Sequence, residues 1–336
     1  MWNSLILTLN GKKSIFCNSF FCAIIVISQW LWGDKNMIQE NISLAKYTTF
    51  KIGGPAKFFA ETDNESDLLS LLNLAKKNNW KFFILGGGSN ILVSDDGFDG
   101  LVIKLKTARD KFWAGNSLAS LAGYCKENFF SGLEWATGIP GTIGGAIRGN
   151  AGAYGGCMGD VIEIVRVLDL ECGKIENYSC EKCQFEYRSS IFKRNGKLII
   201  LSVVVNLKKE KSGEAIVDTM QNILKKRREK IPQNFSAGSF FQNPFTNDQE
   251  LISRFERDSG VKVIDGKIPA GWLIDEVGLR GKKIGGVMIS ENHANFIVNM
   301  GTGTAQEVVT LSGIIKQKIR HRFHIQLKEE VVYVGF

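Results

Sequence analysis

The chain is short of the residues that build metal sites and disulfide frameworks. It has three histidines, His293, His321 and His324, and seven cysteines, an odd total at irregular spacing. A disulfide lattice needs an even set at regular intervals, so a reducing compartment fits better. Cys180-x-x-Cys183 has no second cysteine pair beside it, and no metal site is expected. Also missing are G-x-G-x-x-G and G-x-x-x-x-G-K-[ST], which weakens the nicotinamide-Rossmann and mononucleotide-kinase readings. No internal repeat or low-complexity tract is present.

What remains is a well-cored composition: 44% of residues are apolar and 23% charged, so a folded chain of two or three domains is expected rather than disorder. The 42 basic and 34 acidic residues leave a net charge of +8. One run concentrates it, Lys225-Lys226-Arg227-Arg228-Glu229-Lys230. It reads as the solvated C-terminal end of a helix, whose dipole favours cations, with contact to a ligand's phosphates as the second reading. No stacking aromatics or known binding module accompany it, so no nucleic-acid partner is expected.

Residues 14 to 32 carry no charge and follow Lys12-Lys13, but Asn18, Ser19, Ser28 and Gln29 interrupt them and no A-x-A cleavage site follows. Residues 1–36 are therefore expected to be an extension outside the fold, with Met37 as the start of the patterned chain. A membrane anchor is the alternative. No membrane is expected for the folded domains.

From Asn41 onward short strands alternate with helices. Thr62-Asp63-Asn64-Glu65 reads as a capping box opening a helix with Leu68, Leu69, Leu71, Leu72 and Ala75 on its apolar face. Residues 80–85 read as a buried strand ending in Gly86-Gly87-Gly88-Ser89-Asn90. Further strands are expected at 91–94, 101–105, 161–170, 174–178 and 198–207, with a helix near 117–130. A helix over 213–230 leads to a C-terminal portion with helices near 247–259 and 270–278, and strands at 295–298 and 331–334. There Thr304-x-x-Glu307 caps a long helix. The pattern is α+β.

Two glycine runs carry the first chemical signal. Gly86, Gly87 and Gly88 directly follow a strand, with Ser89 and Asn90 as side-chain donors, and Gly138, Gly141, Gly144, Gly145 and Gly149 come downstream. Glycine lets backbone N–H groups approach an anion, and two such loops could clasp one pyrophosphate; turns and close packing are the plainer use of glycine. The second signal is the polar-aromatic loop Ala237-Gly238-Ser239-Phe240-Phe241-Gln242-Asn243-Pro244. A serine hydroxyl donates a proton well only to something far more basic, such as the carbanion left when hydride adds to a polarised double bond.

These segments, with Thr49-Phe50-Lys51-Ile52-Gly53-Gly54-Pro55, Gly138-Ile139-Pro140-Gly141-Thr142-Ile143-Gly144-Gly145, Asn150-Ala151-Gly152-Ala153-Tyr154-Gly155, Tyr187-Arg188-Ser189-Ser190 and Ala270-Gly271-Trp272-Leu273-Ile274-Asp275, occur in one order across residues 41–336. The set resembles the UDP-N-acetylenolpyruvoylglucosamine reductase family. The resemblance implies an FAD-binding fold of the vanillyl-alcohol-oxidase type, with α+β subdomains at 41–106 and 107–225, followed by a C-terminal α+β substrate-binding domain at 226–336. It further implies a cytoplasmic, monomeric flavoenzyme of cell-wall synthesis in which NADPH reduces bound FAD. Reduced FAD then converts the enolpyruvyl ether of UDP-N-acetylglucosamine to the lactyl ether of UDP-N-acetylmuramic acid.

Carried over by motif, Arg188 is the active-site arginine, Ser239 the proton donor, and Glu330 the C-terminal acid, preferred to Glu329 because it immediately precedes the valine strand. Gly53, Gly86, Gly87, Gly88, Ser89, Asn90, Gly138, Gly141, Thr142, Gly144 and Gly145 would bind FAD; Lys230 and Asn243 would contact the nucleotide diphosphate of the substrate. Ser190 runs through Gly196 straight into a strand, which leaves no room for the tyrosine-bearing loop of the longer subtype. Two other readings stay open: an oxidase of the same fold acting on another substrate, and a nucleotide-sugar-binding protein without redox chemistry.

Overall fold

A four-stranded sheet opens the fold in the computed structural model, which describes residues 38–336. The expectations for residues 1–36 and for a start at Met37 lie outside the described residues. The strand order is Ile38–Ser43, Pro55–Thr62, Phe98–Leu105, Phe82–Leu85, and both neighbours of Phe98–Leu105 run parallel to it. Parallel strands are covered on both faces, and accordingly Leu101, Val102 and Ile103 are all fully buried in succession.

The connecting helix Glu65–Lys77 buries Leu68, Leu71, Leu72 and Ala75. Its cap corrects the expected capping box. Asn64, not Thr62, accepts the N–H of Asp67, at 2.9 Å. Thr62 is still paired with Leu105 in the sheet, so its backbone cannot also begin the helix, and its hydroxyl instead accepts the N–H of Asn64.

A second, antiparallel sheet follows, in the order Lys174–Ser179, Ile162–Asp169, Leu198–Val205. The helix Glu214–Lys230 then leads to a third sheet, ordered Phe235–Ser236, Ile297–Asn299, Val287–Ile289, Lys283–Ile284. Beside it lies the long helix Ala305–Phe323, opened by the Thr304–Glu307 capping box that the sequence indicates.

Core packing and one strand pair link residues before 106 to residues after 226. Phe50, Ile52 and Leu92 pack in one cluster with Phe240, Phe241, Leu273, Leu311 and Ile315. The strand Val332–Val334 pairs parallel with Ile91–Val93. Polar ties reinforce the junction: the Asp95 carboxylate accepts the N–H groups of Ala305 and Gln306 at 2.8 and 3.0 Å, and Asn299 Nδ2 donates to the Phe50 carbonyl at 3.0 Å. A buried carboxamide and a helix cap both lose hydrogen bonds if the two parts separate, so these regions hold a fixed geometry.

Candidate active site

The glycine runs meet backbone to backbone. A Cβ on Gly87 would lie 2.6 Å from the Cα of Gly141, and one on Gly86 would lie 2.5 Å from Thr142 Oγ1. Ser89 Oγ donates to the Pro140 carbonyl at 3.1 Å and so ties one loop to the other. Gly88 and Gly141 adopt φ of +63° and +121°, conformations that a side chain would strain. Among the described residues, none of the N–H groups of residues 86–89 donates to a backbone carbonyl. Neighbouring backbone donors left unpaired around an approach only glycine permits suit a phosphate. Thr137 Oγ1, at the start of the second loop, is also buried without a partner among the described residues. The donor set therefore fits the diphosphate of a dinucleotide cofactor.

Other predicted residues of the cradle have local duties. Gly144 packs against Ala114, where a Cβ would stand 2.9 Å from that residue's own, and its N–H donates to the Ala114 carbonyl. Gly53 packs against Val93, Gly138 lies beside Arg227, and the N–H of Gly145 donates to Thr142 Oγ1. Asn90 turns the other way, donating from Nδ2 to the Glu330 carbonyl at 3.2 Å.

Arg188, Ser239 and Glu330 line one cavity of about 430 Å³. Each arrives by a different route. Arg188 occupies a tight turn closed by reciprocal backbone hydrogen bonds between Glu186 and Ser189, and it holds φ of +55°, which is costly for a residue with a side chain. Ser239 follows Gly238, whose φ of +82° swings the chain so that Phe240 and Phe241 enter the core while the serine faces the cavity. Asn295 fixes that loop by accepting the N–H groups of Phe240 and Phe241 and donating to the Phe241 carbonyl. Glu330 precedes the final strand, with its N–H on the Phe240 carbonyl. Its neighbour Glu329 points elsewhere and pairs with Lys316 at 2.6 Å.

Arg188 Nε lies 2.9 Å from Glu330 Oε1, yet its N–H is not aligned on that oxygen and has no hydrogen-bond partner among the described residues. The contact is thus a charge contact with a donor to spare. Burial raises the Glu330 carboxyl above its ordinary value, against the opposing pull of Arg188 and, more weakly, Lys193. Ser239 makes no side-chain hydrogen bond within the described residues, which leaves its hydroxyl free for a ligand.

The sequence singled out Asn243 and Lys230 but passed over Tyr187, Lys267 and His293. Tyr187 lines this cavity and an adjoining one of about 550 Å³, and its hydroxyl accepts the Asn243 N–H at 3.4 Å. The Lys267 ammonium sits 4.8 Å from the Tyr187 ring centre. His293 lines the first cavity, and burial, with Arg280 and Lys230 nearby, holds its imidazole below the usual range. Asn243 lines both cavities; its Oδ1 accepts the Ala270 N–H at 3.1 Å, which leaves the amide donors available. Lys230 is exposed at the end of its helix and lines neither cavity.

The glycine cradle suits a dinucleotide, its loop is tied to the cavity through Asn90 on the Glu330 carbonyl, and residues 56–179 match the model of the FAD binding domain, which makes the chain a flavoprotein. Residues 230–334 match the C-terminal domain of UDP-N-acetylenolpyruvoylglucosamine reductase. The reductases of that name from Solibacter usitatus and Anoxybacillus flavithermus are 37% and 38% identical to the chain, covering 89% and 91% of it and 97% of each relative. The crystal structure of UDP-N-acetylenolpyruvylglucosamine reductase from Thermus caldophilus superposes with a TM-score of 0.71 at 32% identity, over 88% of this chain and 99% of that one. The chain belongs to the UDP-N-acetylenolpyruvoylglucosamine reductase family.

Proposed function

We propose that the chain reduces UDP-N-acetylglucosamine enolpyruvate to UDP-N-acetylmuramate, with NADPH as electron donor, in the supply of peptidoglycan precursors. The observation that carries this reading is the single cavity shared by Arg188, Ser239 and Glu330, next to the glycine cradle. FAD, when bound, would supply the two-electron redox chemistry that links NADPH to the enolpyruvyl double bond. Residues 86–89, with Gly141 opposite, would hold its diphosphate through backbone N–H groups.

Hydride addition at the methylene carbon leaves negative charge on the adjoining carbon and its carboxylate. The spare N–H of Arg188 suits that carboxylate, and the planar guanidinium stabilises the charge as it develops. Glu330, whose carboxyl burial raises above its ordinary value against the pull of Arg188, is assigned a second contact to the same group, as a hydrogen-bond donor when protonated. The Ser239 hydroxyl delivers the proton to the carbon and completes the saturated lactyl ether. Asn243 Nδ2 and Lys230 are assigned to the nucleotide diphosphate. We assign the reaction to the cytoplasm and the enzyme to a monomer; among the described residues no helix is long and apolar enough to cross a membrane.

Anaerobic half-reactions followed at the flavin absorbance test this function. The purified protein should bleach with NADPH and regain its colour on addition of the enolpyruvyl nucleotide sugar. Recovery with oxygen alone would point to an oxidase, and a protein that binds no flavin would defeat the redox reading altogether.

A further inference from the structure

The turn that presents Arg188 has a second support. Lys193, in the short helix Ile191–Arg194, donates from Nζ to the Arg188 carbonyl at 3.0 Å. That carbonyl belongs to the residue held at φ of +55°, a left-handed conformation that is costly for a residue with a side chain. An anchored carbonyl offsets part of that cost and fixes where the guanidinium starts. Burial lowers the pKa of that ammonium most, and Arg148 and Arg188 lower it further against the opposing pull of Glu330.

We propose that Lys193 is a positioning residue of the reductase site, anchoring the Arg188 turn through its carbonyl. A neutral donor of similar reach could hold the same carbonyl, whereas an apolar side chain could not.

The proposal rests on the role given above to Arg188, and its test separates the two. In holoenzyme carrying Lys193→Met, reoxidation by the enolpyruvyl nucleotide sugar should slow by about 10–100-fold, the scale of a misplaced catalytic group, with flavin reduction by NADPH retained. Lys193→Arg and Lys193→Gln, which keep a donor for the carbonyl, should recover most of the rate. Lys193→Ala serves if the methionine variant does not fold. Native reoxidation in the variants without a donor, or no recovery in Lys193→Arg and Lys193→Gln, overturns the proposal. If Arg188→Ala leaves reoxidation unchanged, the catalytic reading itself falls. If Arg188→Ala slows it and Lys193→Met does not, only the role of Lys193 falls.

Discussion

Gly87→Ala places one methyl group where the two glycine loops meet. The added carbon would stand 2.6 Å from the Gly141 Cα and 3.2 Å from its carbonyl carbon. Carbon atoms rest about 3.5–4.0 Å apart, so the nearer contact is about 1 Å too short. Both opposing atoms are backbone. No rotamer change can relieve the clash, so the loops must part. Overpacking of this kind costs about 1–3 kcal/mol. Borne by the cradle, that cost weakens FAD binding by about 5- to 150-fold, at 1.4 kcal/mol per decade. The assay is a titration of apoprotein with FAD, read by quenching of flavin fluorescence, alongside thermal unfolding of the same sample. Gly123→Ala is the control: it lies in the helix Leu118–Glu127 with nothing within 4 Å of the new Cβ, so FAD affinity should hold and stability should rise by about 0.5–1 kcal/mol. Native FAD affinity in Gly87→Ala, whether or not its unfolding temperature falls, would refute the cradle.

Ser239→Ala should leave flavin reduction by NADPH nearly intact and slow reoxidation by the enolpyruvyl substrate by ~10²–10⁴-fold; equal slowing in both half-reactions would sink the proton-donor role. Asp95→Ala removes the acceptor of two N–H groups at the start of Ala305–Phe323 and should cost about 0.5–2 kcal/mol in a denaturant melt, with Asp95→Asn recovering most of it. Because the folded-state pKa of His293 is depressed below its ordinary 6.5, its contribution is fully present above that pH and is lost as pH falls from 6.5 through the lower folded value. Thermal midpoints of His293→Gln should therefore fall less between pH 7 and 5 than those of the unaltered protein, and parallel curves would count against this.

The sequence carried local information well and distant information poorly. Strand-then-glycine at residues 82–88 and the Thr304–Glu307 cap could be read because their causes lie within a few residues. The contact of Gly87 with Gly141 could not, since both glycines have ordinary turn uses when taken singly. Glu329 and Glu330 are chemically identical neighbours, and a strand's alternation alone does not say which faces a cavity; pairing with Lys316 across the fold separates them. Lys193 gave no sign in the sequence either, because its partner is a carbonyl whose unusual conformation appears only in three dimensions. Nothing in the sequence marked the shared core, which long-range packing of Phe50 and Leu92 against the C-terminal part creates.

The Asn90 amide reaches the Glu330 carbonyl across 240 positions of chain, and the strand after Glu330 completes its pairing beside Ile91. A chain growing from its N-terminus therefore holds its cofactor loop ready long before the partner strand exists. Closing so wide a contour costs chain entropy, which the pairing of these two strands and the burial of Leu92 must offset. The loop that holds the cofactor and the acid that serves the substrate are thus neighbours only through a contact between distant parts of the chain.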